Sequence, residues 1–129
     1  MKRLLPLLIL AGLICASAFV AAQAVMAQEN ITKLAPEAFG TRQRPPALFA
    51  HDKHNEKAQI GECVVCHHGG KNGVIDRVAS TEGTPCAECH RVKPADKTTG
   101  LTRAYHKQCI DCHRAKGKGP LACGQCHVR

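Results

Sequence analysis

The chain has no tryptophan, and beyond residue 27 it has no methionine and only three large aromatic residues, Phe39, Phe49 and Tyr105. Long apolar runs are also missing, apart from one at the N-terminus. A chain of this length buries a limited fraction of its surface and usually needs staples or a cofactor to be stable. These absences exclude an ordinary aliphatic and aromatic core, so something other than side chains must fill the interior. Acidic residues are nearly absent from residues 97–129, where Asp111 alone stands against Lys97, Arg103, Lys107, Arg114, Lys116, Lys118 and Arg129.

The N-terminal run is the exception. Met1-Lys2-Arg3 is a short positive head, an apolar stretch follows from Leu4 to about Ala22, and small residues lead through Val25-Met26-Ala27 to Gln28. That is the layout of a secretory signal peptide over residues 1–27, cut after Ala27. A membrane anchor is the competing reading, since the run is only about the 20 residues a span requires, but its Ala-rich end closes on a small-residue cleavage pattern. Cys15 follows Ile14, a poor residue for lipid processing, and is expected to leave with the leader. Removing 27 of the 129 residues leaves 102, residues 28–129, enough for one exported domain.

The formal net charge is +8 for the whole chain, two of those charges lying on Lys2 and Arg3. Residues 28–96 balance nine basic against nine acidic residues, so the remaining excess lies wholly in residues 97–129. Basic clusters often bind nucleic acid, yet an exported chain with almost no aromatics is a poor candidate for it. An acidic protein partner or an anionic surface fits better.

Eight cysteines remain beyond the leader and form four pairs, each followed at once by histidine: CVVCH (63–67), CAECH (86–90), CIDCH (109–113) and CGQCH (123–127). Zinc ribbons use two such pairs per metal, and eight cysteines in a small exported protein could form a disulfide framework. Neither calls for a histidine after every second cysteine. Covalent c-type haem does: two thiols add to the vinyl groups on one porphyrin edge, and the next residue supplies the proximal iron ligand. One helical turn presents both sulfurs to that edge. The pattern therefore points to four covalently bound haem c groups on Cys63 and Cys66, Cys86 and Cys89, Cys109 and Cys112, and Cys123 and Cys126.

The histidines match this count. Four belong to the motifs (His67, His90, His113, His127) and four are spare (His51, His54, His68, His106). A six-coordinate haem iron takes two axial ligands, so eight histidines serve four irons and no methionine is left to compete. Successive residues point in different directions, so His68 is free to reach a haem other than the one His67 serves. His51 and His54, three apart in FAHDKH, project to one side of a helical turn. His106 and His113 lie about two turns apart on one helix and cannot easily sandwich one iron, so His106 should reach another haem.

The sequence resembles the class III cytochromes c, specifically the tetrahaem cytochrome c3 proteins of sulfate-reducing bacteria. The resemblance rests on Phe49-x-His51-x-x-His54, the doubled histidine after the first motif, the lone His106 ahead of the third, and a last motif near the C-terminus. It spans about residues 45–129. Many members carry two extra residues between the cysteines of the second and fourth motifs, whereas all four motifs here are CxxCH. The resemblance implies the axial pairs His51/His67, His68/His90, His54/His113 and His106/His127, with Phe49 against the first haem. It implies a small, mostly α and irregular fold, with short helices and loops wrapped around the haems. Residues 28–48, carrying Pro36, Pro45 and Pro46, are expected to be extended, with a short N-terminal hairpin. The best helix spans about Leu101 to Ala115, with Thr99 or Thr102 near its start and Gly117 past its end, and HGGKNG reads as a loop.

Two strong ligands per iron leave no open position for substrate, so the expectation is an electron carrier and not an enzyme. Histidine in place of methionine, together with haem exposure, lowers the potential. Eight propionates make each added electron costly, which couples reduction to proton uptake. By resemblance the setting is the periplasm, the donor a hydrogenase or formate dehydrogenase, and the acceptor a membrane-associated multihaem redox complex, with the carrier a monomer. Reduction of soluble metals and service as a conduit subunit of a larger multihaem assembly are the alternatives.

Overall fold

The computed structural model of the protein describes residues 31–71, 73–95 and 97–129. The leader expected over residues 1–27 lies outside the described residues. Within them the fold is small, mostly helical and irregular, with two short antiparallel hairpins. No described helix is long and apolar enough to cross a membrane.

The first hairpin pairs β1 (Lys33–Leu34) with β2 (Ala47–Leu48), with Lys33 opposite Leu48 and Leu34 opposite Ala47. Backbone bonds from Phe49 N–H to the Thr32 carbonyl (2.9 Å) and from His51 N–H to the Ile31 carbonyl (3.0 Å) extend the ladder. The extension delivers the chain directly into α1 (His51–Ala58), so the hairpin sets where His51 and His54 begin. Helix α1 ends at Gln59, a non-glycine residue in the left-handed region (φ 54°), whose N–H bonds back into the last turn.

A second hairpin replaces the loop expected at HGGKNG. Strand β3 (His68–Lys71) pairs antiparallel with β4 (Val74–Ser80), and Gly73 sits at φ 77° in the turn between them. The register runs Lys71–Val74, Gly70–Ile75 and Gly69–Asp76, then jumps to His68–Ser80, so Arg77, Val78 and Ala79 bulge out of the ladder. The Val78 N–H donates to Asp76 Oδ1 at 2.8 Å, closing the bulge locally. The signal for this hairpin was present as the Asn72-Gly73 dipeptide followed by β-branched residues. Every residue of β4 is exposed, so the burial alternation that marks most strands is missing.

The remaining elements are two 3₁₀ turns, Glu37–Phe39 and Cys63–Val65, and the helices α2 (Cys86–Cys89), α3 (Leu101–Lys116) and α4 (Cys123–Cys126). Helix α3 runs one residue past the expected end and stops at Gly117, whose φ of 63° suits glycine. Neither threonine caps it: the N-cap is Gly100, with no side-chain cap bond, and the Leu101 N–H donates instead to the Arg91 carbonyl at 2.9 Å. In α4, Gln125 Oε1 accepts from the Leu121 and Ala122 N–H groups, both at 2.9 Å, and caps the turn from within.

Among the described residues Leu101 is the one fully buried side chain. Domain stability ordinarily comes from contiguous apolar burial, so protein atoms alone leave this fold without a core. Phe39 and Tyr105 pack with ring centroids 6.3 Å apart, joining the N-terminal segment to α3.

Candidate haem-binding site

Each motif is one helical turn. In the three that stand alone, the histidine N–H donates to the carbonyl of the first cysteine: His67 to Cys63 at 2.8 Å, His90 to Cys86 at 2.8 Å and His127 to Cys123 at 2.9 Å. The remaining motif, third in chain order, runs from Cys109 to His113 inside α3. The same local winding therefore sets two sulfurs and an imidazole in every motif, the geometry that a porphyrin edge and its iron require.

All eight histidines are among the described residues, and their rings meet in four pairs. The centroids of His51 and His67 are 6.5 Å apart, those of His54 and His113 6.1 Å, those of His68 and His90 6.2 Å, and those of His106 and His127 6.3 Å. Direct ring stacking would allow closer approach, as with Phe49, whose ring is 4.9 Å from His54. The uniform spacing has a metal-sized explanation. With a metal–nitrogen bond of about 2.0 Å and roughly 1.1 Å from nitrogen to ring centre, imidazoles on opposite sides of one metal have centroids about 6.2 Å apart. In the dipeptide His67-His68 one ring faces His51 and the other His90. His106 meets His127 and not His113 of its own helix.

Backbone carbonyls hold the Nδ1 atoms of four of these rings. Backbone carbonyls only accept, so each of four Nδ1 atoms must be the donor: His68 to Gly69 at 2.9 Å, His90 to Thr99 at 2.8 Å, His113 to Pro120 at 2.8 Å and His127 to Pro45 at 2.7 Å. Fixing the proton on Nδ1 leaves the Nε2 lone pair for a metal, and such partners orient ligating histidines and raise their basicity. His51 Nδ1 instead donates to the carboxylate of Asp52 at 2.7 Å. His54 Nδ1 has only the 3.5 Å approach of Asn55 Oδ1. Thr81 ties the doubled histidine down, its N–H donating to the His67 carbonyl at 2.7 Å and its hydroxyl to the His68 carbonyl at 3.2 Å.

No disulfide joins any of the eight motif cysteines. Burial pushes the Cys66 thiol up and the Cys109 thiol up to about 11, while a hydrogen bond with Glu82 is the main cause raising Cys63. Among the described residues, no three His, Cys, Asp or Glu side chains converge as a bare metal ion requires. The first and third motifs are joined through α3, where Gln108 Nε2 donates to the Val65 carbonyl at 2.8 Å. An open cleft of about 330 Å³ beside Cys89 is lined by Arg91, Pro94, Ala95 and Thr98.

A family model described as the class III cytochrome C family matches residues 25–127. The chain belongs to that family. Membership brings the family's general role, electron transfer through several covalently bound c-type haems, and not catalysis; it is consistent with location in the periplasm. A cytochrome c3 from Desulfovibrio desulfuricans is 27% identical over 92 residues, covering 67% of this chain and 81% of that protein. A cytochrome c7 from Geobacter metallireducens is 42% identical over 82 residues, 63% of this chain and 80% of that protein. A high-molecular-weight cytochrome c from Nitratidesulfovibrio vulgaris is 40% identical over 81 residues, 57% of this chain but only 13% of the larger protein's length.

Sequence reasoning did not find the carbonyls of Gly69, Thr99, Pro120 and Pro45, since an acceptor on the backbone leaves no mark in residue type. Asp52 was also missed, although it is a visible residue type next to His51.

Proposed function

We propose that the protein is a low-potential electron carrier with four haems c, each iron held by two histidines. Cys63 and Cys66 with His51/His67, Cys86 and Cys89 with His68/His90, Cys109 and Cys112 with His54/His113, and Cys123 and Cys126 with His106/His127 would hold them. The supporting observation is the four-fold recurrence of imidazole centroids at 6.1–6.5 Å. Bound in this way, each haem supplies a one-electron iron couple with both axial positions occupied.

The chain's own residues do the rest. His67 and His68, adjacent in sequence, belong to different pairs, so one peptide bond links two cofactor sites. Phe49 contacts the rings of His51 (6.0 Å) and His54 (4.9 Å), joining the first of these sites to a third, that of His54 and His113. By resemblance, the donor is a periplasmic hydrogenase or formate dehydrogenase and the acceptor a membrane-associated redox complex. Mass spectrometry of the periplasmic protein should show four covalent haems on a chain starting near Gln28. Its spectrum should be wholly low-spin, with no carbon monoxide binding at native pH. Fewer haems, or one that takes up carbon monoxide, would overturn the reading.

The match to a small part of a much larger cytochrome favours a second reading, in which such units stack into a conduit. Concentration-dependent end-to-end association in sedimentation would support it, and a monomer at all concentrations would sink it.

A further inference from the structure

Asp52 stands apart from every other partner of the paired histidines. Four histidines donate Nδ1–H to backbone carbonyls, which are dipoles of no net charge. His51 donates to Asp52 Oδ1 at 2.7 Å, a full carboxylate, while its side chain is 19% exposed and that of Asp52 54% exposed. Helix α1 creates the contact at its first turn, where the side chain of residue 52 can turn back along residue 51.

A charge-assisted bond to an imidazole N–H is shorter and stronger than a neutral one. It draws the Nδ1 proton toward the carboxylate, makes Nε2 a better electron donor, and sets a negative charge near the metal. All three effects favour the oxidised iron, which carries one more positive charge than the reduced iron. The Asn55 amide also lies 3.4 Å from His51 Nε2, a long contact that a metal bond would replace.

We propose that Asp52 is a positioning residue that holds His51 in a carboxylate–histidine–iron arrangement, giving the haem attached at Cys63 and Cys66 the lowest potential of the four. That haem is then the last to be filled and the strongest donor once filled. The proposal rests on the reading of His51 and His67 as the ligands of one iron.

The test uses the four-haem protein with individual couples followed by NMR through a redox titration. Asp52→Asn keeps an acceptor at the same place without its charge. The Cys63/Cys66 haem should then gain about tenfold in its reduction equilibrium, about 59 mV for one electron, with the other three couples moving much less. Asp52→Ala should move it at least as far. Glu56→Gln removes one exposed negative charge a turn further along α1, with no bond to an axial histidine, and should leave that couple nearly unchanged. If Asp52→Asn and Glu56→Gln act alike, or all four couples rise together, only net charge matters and the proposal fails. A separate variant, His51→Ala, should render the same haem high-spin and open to carbon monoxide. If it stays low-spin, the ligand assignment itself is wrong and the Asp52 proposal falls with it. A high-spin His51→Ala beside an inert Asp52→Asn would remove only the role of Asp52.

Discussion

His127 Nδ1 donates to the carbonyl of Pro45 at 2.7 Å, joining residues 82 positions apart. The proline-rich N-terminal segment is thus a structural partner of the last motif. Pro46 restricts Pro45 to extended backbone conformations, which fixes where that carbonyl points. Pro46→Gly should lower stability by about 1 kcal/mol through the freer unfolded chain. It should also speed exchange of the His127 Nδ1 proton and raise the potential of the Cys123/Cys126 haem selectively. NMR exchange measurements decide the matter; an unchanged rate at His127 would show that the carbonyl is held by something else.

Gly119 makes an equally specific demand. Its φ is 97°, and a Cβ there would stand 2.5 Å from Cδ2 and 2.8 Å from Nε2 of His113. Gly117, two residues earlier at φ 63°, has open space around the same position. Gly117→Ala should therefore cost about 1 kcal/mol of backbone strain with no spectral change. Gly119→Ala should cost more and displace the imidazole, leaving the Cys109/Cys112 haem partly high-spin. Thermal melts paired with carbon monoxide binding separate the two effects. Equal spectra for both variants would mean that His113 has room to move.

These examples mark what could be read from residues alone. The four CxxCH turns were legible because the motif fixes residue type and spacing at once, and each is wound as a helical turn. The split of His67 from His68 was legible because neighbouring side chains diverge. The β3–β4 hairpin was not, since its strands are mostly exposed and Gly69-Gly70 resembles a loop. Thr99 and Thr102 lie near the start of α3 but neither is its N-cap, because the helix begins at Leu101 and leaves Gly100 at that position, while the Leu101 N–H goes to the Arg91 carbonyl.

The doubled histidine can be tested directly. His68 begins β3 and faces His90, while His67 faces His51. His68→Met should raise the potential of the haem at Cys86 and Cys89, since methionine ligation gives a higher potential. The haem at Cys63 and Cys66 should keep its own. Heteronuclear NMR of the haem methyls during a redox titration assigns each couple. A larger shift at Cys63/Cys66 would reverse the assignment of the two histidines.

The basic C-terminal quarter offers the last prediction, and the structure alters which residues should carry it. Lys107 Nζ bonds Asp111 Oδ2 at 3.0 Å and Arg114 Nη1 bonds Asp111 Oδ1 at 3.2 Å, chiefly the former holding the Asp111 carboxyl below its usual range. Protonation of Asp111 as pH falls through that lowered range would release both pairs, whose worth at such exposure is small. Lys107 is thus partly neutralised, and reversing it would disturb α3 as well as the surface. Lys97, Lys116 and Lys118 are exposed and better chosen. Surface charge acts on encounter over a Debye length of about 8 Å at physiological salt, and mutating rim charges changes association rates more than intrinsic chemistry. Reversing the three lysines to Glu should slow electron uptake from an acidic donor several-fold at low ionic strength. The effect should fade as salt is added, while the haem potentials stay nearly fixed. Reversing Lys33, Arg42 and Lys57, which lie in the N-terminal half, changes net charge equally. Stopped-flow reduction of both triples settles whether the C-terminal face docks: if they slow alike at every salt concentration, total charge governs the rate and no face is preferred.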